Sequence, residues 1–227
     1  AVPVVEPPPH VPARLGAFNA GDFEGVAPKP IVWLWDQWIG RRMTAGVFAE
    51  GGTGKSMFML QMAVCMATGR PFIDGSTLAY GKSLLVFCED EMDRVNERLI
   101  LILNHMGLSF SDVRDDIFIL ARIGEDSTLM KFDRAGNGTL TPFWHDLEAE
   151  IIALQPAMVL IDTATDTFAG NPLDNQQVRF FIQTAFTSLA INHDLALCFL
   201  SHVSASGKAS GSGTAGALAW RDRARVQ

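Results

Sequence analysis

Nothing in this chain approaches the run of about 20 apolar residues that a bilayer-crossing helix needs. Its longest apolar runs, such as Leu195–Leu200 and Met158–Ile161, are short and bounded by polar residues, so they read as buried strands. The N-terminus has no basic segment followed by an apolar stretch, which leaves no visible signal peptide. A soluble, cytoplasmic chain without a membrane partner is expected. Cysteine is scarce as well. Cys65, Cys88 and Cys198 are odd in number, far apart and set in apolar segments, which argues against a disulfide framework or a zinc site and suits a reducing compartment. Positive charge is also short: the formal net charge is −7. A broad nucleic-acid-binding face is therefore disfavoured, and any DNA contact must rest on a few local basic residues.

What is present is apolar material sufficient for one substantial core, at 48% hydrophobic content over 227 residues. Five prolines within residues 1–12 favour an extended, poorly folding segment. Residues 1–30 are thus expected to be a proline-rich extension or linker, and 31–227 the folded domain. The chain starts at Ala1 without an initiator Met and ends just after a basic cluster, which fits a piece of a longer polypeptide. Trp33, Trp35 and Trp38 are expected to pack a lead-in segment onto the core.

From about residue 44 short apolar runs alternate with helical patterns. Strands are expected at Thr44–Phe48, Ser83–Cys88, Ile117–Ala121, Met158–Ile161 and Ala196–Ser201. Helices are expected at Lys55–Thr68, Met92–Met106, Pro142–Leu154 and Gln176–Asn192. Continuous apolar strands separated by helices indicate an α/β fold, a mostly parallel twisted sheet with helices on both faces. Ser204–Gly216 is too rich in Gly and Ser for regular structure.

The most specific motif is Ala49-Glu50-Gly51-Gly52-Thr53-Gly54-Lys55-Ser56, between an expected strand and an expected helix. It follows the pattern of a phosphate-binding loop with Ala in the first position. Glycines let the backbone turn its N–H groups inward on phosphates, and the helix N-terminus adds its positive dipole end. Lys55 would neutralise the β- and γ-phosphates, and Ser56 would ligate Mg²⁺. ATP and Mg²⁺ are the implied ligands. The Met-rich stretch that follows (Met57, Met59, Met62, Met66) reads as core filling.

Three further strand ends carry polar residues. Asp162 closes Met158–Ile161, where a carboxylate would complete the magnesium shell. Glu89, Asp90 and Glu91 follow Leu84–Cys88; such a concentration of acids is costly unless a cation or water network uses it. Glu89, nearest the strand, is the candidate base for the attacking water, with Asp90 and Glu91 as alternatives. His202 follows Ser201 and could sense a γ-phosphate. Arg221, Arg223 and Arg225 form a terminal basic cluster, from which one guanidinium could reach a neighbouring subunit's site.

The loop at 49–56, Ala67-Thr68-Gly69-Arg70-Pro71-Phe72, Phe87-Cys88-Glu89-Asp90, Ile161-Asp162-Thr163, Gln177-Val178-Arg179-Phe180-Phe181-Ile182 and Ser201-His202-Val203-Ser204 with Trp220 together resemble the RecA-fold AAA ATPases related to the RepA-like hexameric replicative helicases of plasmids and phages. The likeness covers roughly residues 30–227. It implies a RecA-like P-loop NTPase core, ATP hydrolysis between subunits of a homo-oligomeric ring, replication-protein partners, and contact with single-stranded DNA. By position it makes Lys55 and Ser56 the phosphate and magnesium residues, Glu89 the catalytic glutamate, Asp162 the Walker B acid and His202 the strand-end sensor. With Trp220 aligned, Arg225 falls on the trans-acting arginine, Arg221 and Arg223 remaining alternatives. Lys208 becomes the DNA contact, as the one positive charge in the loop Ser204–Gly216. The chain is expected to lack the C-terminal strand that family members usually carry.

Overall fold

The structure, a computed structural model, describes residues 16–202 and 218–222. The chain divides at Pro30/Ile31. On the N-terminal side, Asn19 caps a 3₁₀ turn (Ala20–Phe23) by accepting the Gly21 N–H. The Phe18 and Phe23 rings lie 4.9 Å apart, and none of residues 16–30 is buried.

Beyond Ile31, strands β1 (Trp33–Trp35) and β2 (Ile39–Gly40) form a small antiparallel pair. The main sheet consists of β3 (Met43–Ala49), β4 (Ser83–Phe87), β5 (Ile117–Ala121), β8 (Met158–Asp162) and β10 (Ala196–His202). All neighbours are parallel, in the order β3-β10-β8-β4-β5. Parallel neighbours need crossovers, and the helices that supply them cover both faces. Helices α1 (Lys55–Thr68) and α2 (Met92–Met106) lie on one face with Leu85, Phe87, Leu160, Cys198 and Leu200. On the other, α3 (Pro142–Leu154) and α4 (Asn175–Phe181) pack with Leu84, Val86, Val159, Ile161, Leu197 and Phe199. Successive strand residues thus serve opposite cores, which is why the strands read as unbroken apolar runs. Each such side chain contributes about 1.5–3 kcal/mol when fully buried.

Local signals fix the helix ends. Thr141 accepts the Trp144 N–H and Pro142 opens α3. Gly107, at φ +66°, closes α2. Met59, Met62 and Met66 fill the core as their apolar setting predicts, while Met57 is only half-buried. Among the tryptophans, Trp35 packs with Phe58 and Phe72, but Trp38 is half-exposed, stacked on Trp35 at 5.4 Å. The apolar side chains this segment buries are Leu34 and Ile39.

Two expectations need correction. The helix expected over Gln176–Asn192 is interrupted: α4 gives way to a π-helical stretch, Ile182–Thr187, before α5 (Ser188–Asn192). Apolar residues on the inner side hold this stretch to the sheet, with Ile182, Ala185 and Phe186 all buried. A third sheet, which like β1-β2 has no counterpart among the expected strands, joins β6 (Met130–Phe132), β7 (Gly138–Leu140) and β9 (Phe168–Ala169) in the order β7-β6-β9. Strand bounds in the main sheet otherwise differ from expectation by a residue or less at each end. Among the described residues no helix is long and apolar enough to cross a membrane. The cysteines are free thiols; burial pushes Cys88 and Cys198 up to about 12, so both stay protonated.

Candidate active site

Parallel strands place all their C-terminal ends along one edge, where open α/β sheets bind ligands. Two of the strands here end on a polar residue, and β3 and β4 run directly into the polar segments that carry Lys55, Ser56 and Glu89. Ala49 ends β3 directly opposite His202, which ends the neighbouring β10. Asp162 ends β8 opposite Phe87 of β4, and the Cys88 N–H donates to the Asp162 carbonyl at 2.6 Å. Glu89 therefore emerges beside Asp162, and His202 beside the loop that follows Ala49.

That loop turns through Gly52 (φ +74°) and Gly54 (φ +88°), the latter capping α1. An added Cβ at either would meet no atom within 4 Å, so backbone conformation, not space, calls for glycine there. Thr53 Oγ1 donates to the Glu50 carbonyl at 2.8 Å and tightens the turn. The first-turn amides of α1 open onto the same concavity, an arrangement suited to phosphate oxygens.

Lys55 is 9% exposed. Its ammonium donates to the carbonyls of Ala49 at 3.0 Å and Glu50 at 2.8 Å, and lies 3.4 Å from His202 Nδ1. Burial lowers its pKa, while Asp162 and Glu89 work in the opposite direction. His202 Nε2 stands 3.7 Å from Glu89 Oε2. With the imidazole proton on Nε2, Nδ1 accepts from Lys55 and one ring links the lysine to the glutamate.

Ser56 Oγ donates to Asp162 Oδ2 at 2.6 Å. Asp162 is 6% exposed. Burial holds its carboxyl above the usual carboxylate range, reinforced by Asp90 and Glu89 and opposed by the Ser56 hydrogen bond and by Lys55. The hydroxyl and the carboxylate are hard oxygen donors side by side, the set that suits Mg²⁺ when substrate phosphates complete its shell. No group of three or more His, Cys, Asp or Glu that could hold a metal by itself occurs among the described residues.

These side chains enclose a cavity of about 340 Å³ with Gly52–Gly54, Met57, Asp90 and Arg98. Arg98 has no place in the sequence reading, and Met57, expected there to fill the core, lines the cavity instead. Arg98 sits on α2 three residues after buried Val95 and just before buried Leu99, so it rims the core face and reaches the site. Its Nη2 donates to Asp90 Oδ1 at 2.9 Å and its Nη1 to Asp90 Oδ2. The three acids after β4 are thus separated by role: Glu89 faces His202, Asp90 is paired with Arg98, and Glu91 is the N-cap residue of α2. Arg98 is the cation that makes their concentration tolerable. The structure therefore brings together the loop 49–56, Glu89, Asp162 and His202. Lys208, Arg223 and Arg225 lie outside the described residues, as do the side chain of Arg221 and the loop Ser204–Gly216. Trp220 is fully buried against Phe168 and Phe181.

A family model for the AAA domain matches residues 9–208. No curated protein matches the chain. The match spans most of the chain, which therefore belongs to the AAA domain family and is an AAA-type P-loop ATPase domain.

Proposed function

We propose that this member of the AAA domain family hydrolyses Mg²⁺-ATP and couples turnover to movement along single-stranded DNA, as a helicase or translocase subunit in the replication of a phage or other mobile element. The observation that carries the hydrolytic part is the convergence of Lys55, Ser56, Glu89, Asp162 and His202 on one cavity at the sheet's C-terminal edge. On nucleotide binding Lys55 exchanges the carbonyls of Ala49 and Glu50 for phosphate oxygens, while the loop amides hold the chain of phosphates. Ser56 and Asp162 would hold Mg²⁺, which neutralises charge on the β- and γ-phosphates. Glu89 orients a water molecule and takes its proton as the water oxygen attacks the γ-phosphorus. The bond from that phosphorus to the β-γ bridging oxygen breaks, and ADP and phosphate leave. His202, touching both Lys55 and Glu89, responds to whether the γ-phosphate is present and passes that state to the segment after it.

The motor reading is supported by the likeness to replicative helicases in the motifs around these residues. In it the subunits form a homo-oligomeric ring, six in number in the resembled family. Each contributes Lys208 to a basic collar around DNA, and Arg225 serves the neighbour's nucleotide. A second reading has support in the net charge of −7: an ATP-dependent switch or loader that acts on a protein partner without unwinding DNA.

Steady-state ATPase rates with and without single-stranded DNA, on wild type and Lys208→Ala, separate the two. DNA stimulation that the substitution weakens supports the motor. An ATPase indifferent to DNA contradicts it and supports the switch.

A further inference from the structure

Arg98 is the cavity residue that the hydrolytic scheme above leaves without a task. The described cavity wall carries three carboxylates, Glu89, Asp90 and Asp162, against two permanent cations, Lys55 and Arg98. The two cations stand on different walls. Lys55 belongs to the loop that cradles phosphates, whereas Arg98 projects from α2 beside the acids. A diphosphate resting on the loop amides can be served by Lys55 alone. A third phosphate must extend toward the acid wall, because that is where Glu89 has to reach an attacking water. There it meets three carboxylates; Mg²⁺ on Ser56 and Asp162 would answer Asp162, which leaves the repulsion from Glu89 and Asp90 to be met by a cation on the acid wall itself.

Arg98 has the right form for that task. Its two terminal nitrogens address the two oxygens of Asp90. A phosphate offers the same pair of oxygens to a planar guanidinium, so the carboxylate occupies the place of a phosphate edge. The pair is also replaceable. Its side chains are 33% and 22% exposed, so an incoming phosphate can reach the same two nitrogens and compete for them with an equivalent two-point contact.

We infer that Arg98 acts in cis as a phosphate-binding residue, exchanging Asp90 for the terminal phosphate of a nucleoside triphosphate and so discriminating tri- from diphosphate. This rests on the ATPase reading of the same site. Asp90 is then a parking place that keeps the guanidinium folded back while the site holds no triphosphate. No covalent change is involved; one anion replaces another on the same two nitrogens.

The test is equilibrium binding of ADP and of a non-hydrolysable ATP analogue, both with Mg²⁺, to wild type, Arg98→Ala, Arg98→Lys and Asp90→Asn. Arg98→Ala is expected to weaken analogue binding about ten- to a hundredfold, the range of a lost charge-assisted hydrogen bond, with ADP affinity changed less than about twofold. Retained ADP binding also shows that the variant is folded. Arg98→Lys should recover only part of the loss, since an ammonium cannot make the two-point contact. Asp90→Asn, which frees the guanidinium, should keep or tighten analogue binding. The inference is overturned if Arg98→Ala leaves the ratio of the two affinities unchanged, or if Asp90→Asn weakens the analogue as much as Arg98→Ala does. The latter would make the pair a purely structural clamp on α2. Wild type that binds neither nucleotide overturns the ATPase reading itself.

Discussion

Ser56 Oγ, on the first turn of α1, donates a 2.6 Å hydrogen bond to Asp162 Oδ2 at the end of β8. This contact ties the phosphate loop to the strand two places away in the sheet. It also sets two hard oxygen donors side by side.

The burial of Asp162 has a cost that pH reveals, and the Ser56 hydrogen bond offsets only part of it. Because burial raises the Asp162 pKa, the folded protein binds this proton more tightly than the unfolded chain does. Linkage then requires the contribution of Asp162 to stability to be most favourable at acidic pH and to fall as pH rises through the folded value. At neutral pH the buried charge is a net burden. Asp162→Asn, which keeps an acceptor for Ser56, should raise the melting temperature of the nucleotide-free protein by about 2–4 °C, the effect of ~1 kcal/mol in a domain of this size. It should also remove this part of the pH dependence and abolish Mg²⁺-dependent turnover. Thermal melts at several pH values check the first two, and a lower melting temperature for the variant would contradict the burial argument.

Glu89→Gln should separate binding from chemistry. The amide keeps the shape of the cavity wall but cannot take a proton from water. Turnover is expected to fall about 10²- to 10⁴-fold, the usual worth of a general base, while ATP affinity is retained. Single-turnover hydrolysis at wild-type rate would move the base to another acid.

Gly54→Ala isolates the backbone requirement of the loop. An alanine Cβ there meets no atom within 4 Å, so the penalty comes from φ +88° alone. A loss of about 1–2 kcal/mol in unfolding free energy is expected, with a larger loss of nucleotide affinity as the loop relaxes. Denaturant titration and nucleotide titration of the same samples check both.

Much of this site was readable without coordinates, because each part lies next to its own local signal. Gly52, Gly54, Lys55 and Ser56 are consecutive or nearly so, and Asp162 and His202 each terminate an apolar run that could only be a buried strand. Their meeting follows from the parallel sheet, which aligns strand ends however far apart they are in sequence. Arg98 carries no comparable signal. It is one arginine on an amphipathic helix that also holds Arg94, and only the packing of Val95 and Leu99 turns it toward the cavity. The sheet β7-β6-β9 leaves no signature in the sequence, because strands of two or three residues cannot display an alternation. The π-helical stretch Ile182–Thr187 leaves none either, because its apolar positions also fit an unbroken α-helix, and what sets its winding is the fit against the sheet.

The central claim is that loop 49–56 binds and positions the phosphates of a nucleotide that this domain hydrolyses. It is tested most directly by steady-state phosphate release from Mg²⁺-ATP by wild type and Lys55→Ala at equal, verified folding. Turnover by wild type that falls by about 100-fold or more in the variant, as loss of a transition-state cation requires, is the predicted result. Near-equal rates in the two proteins would contradict it.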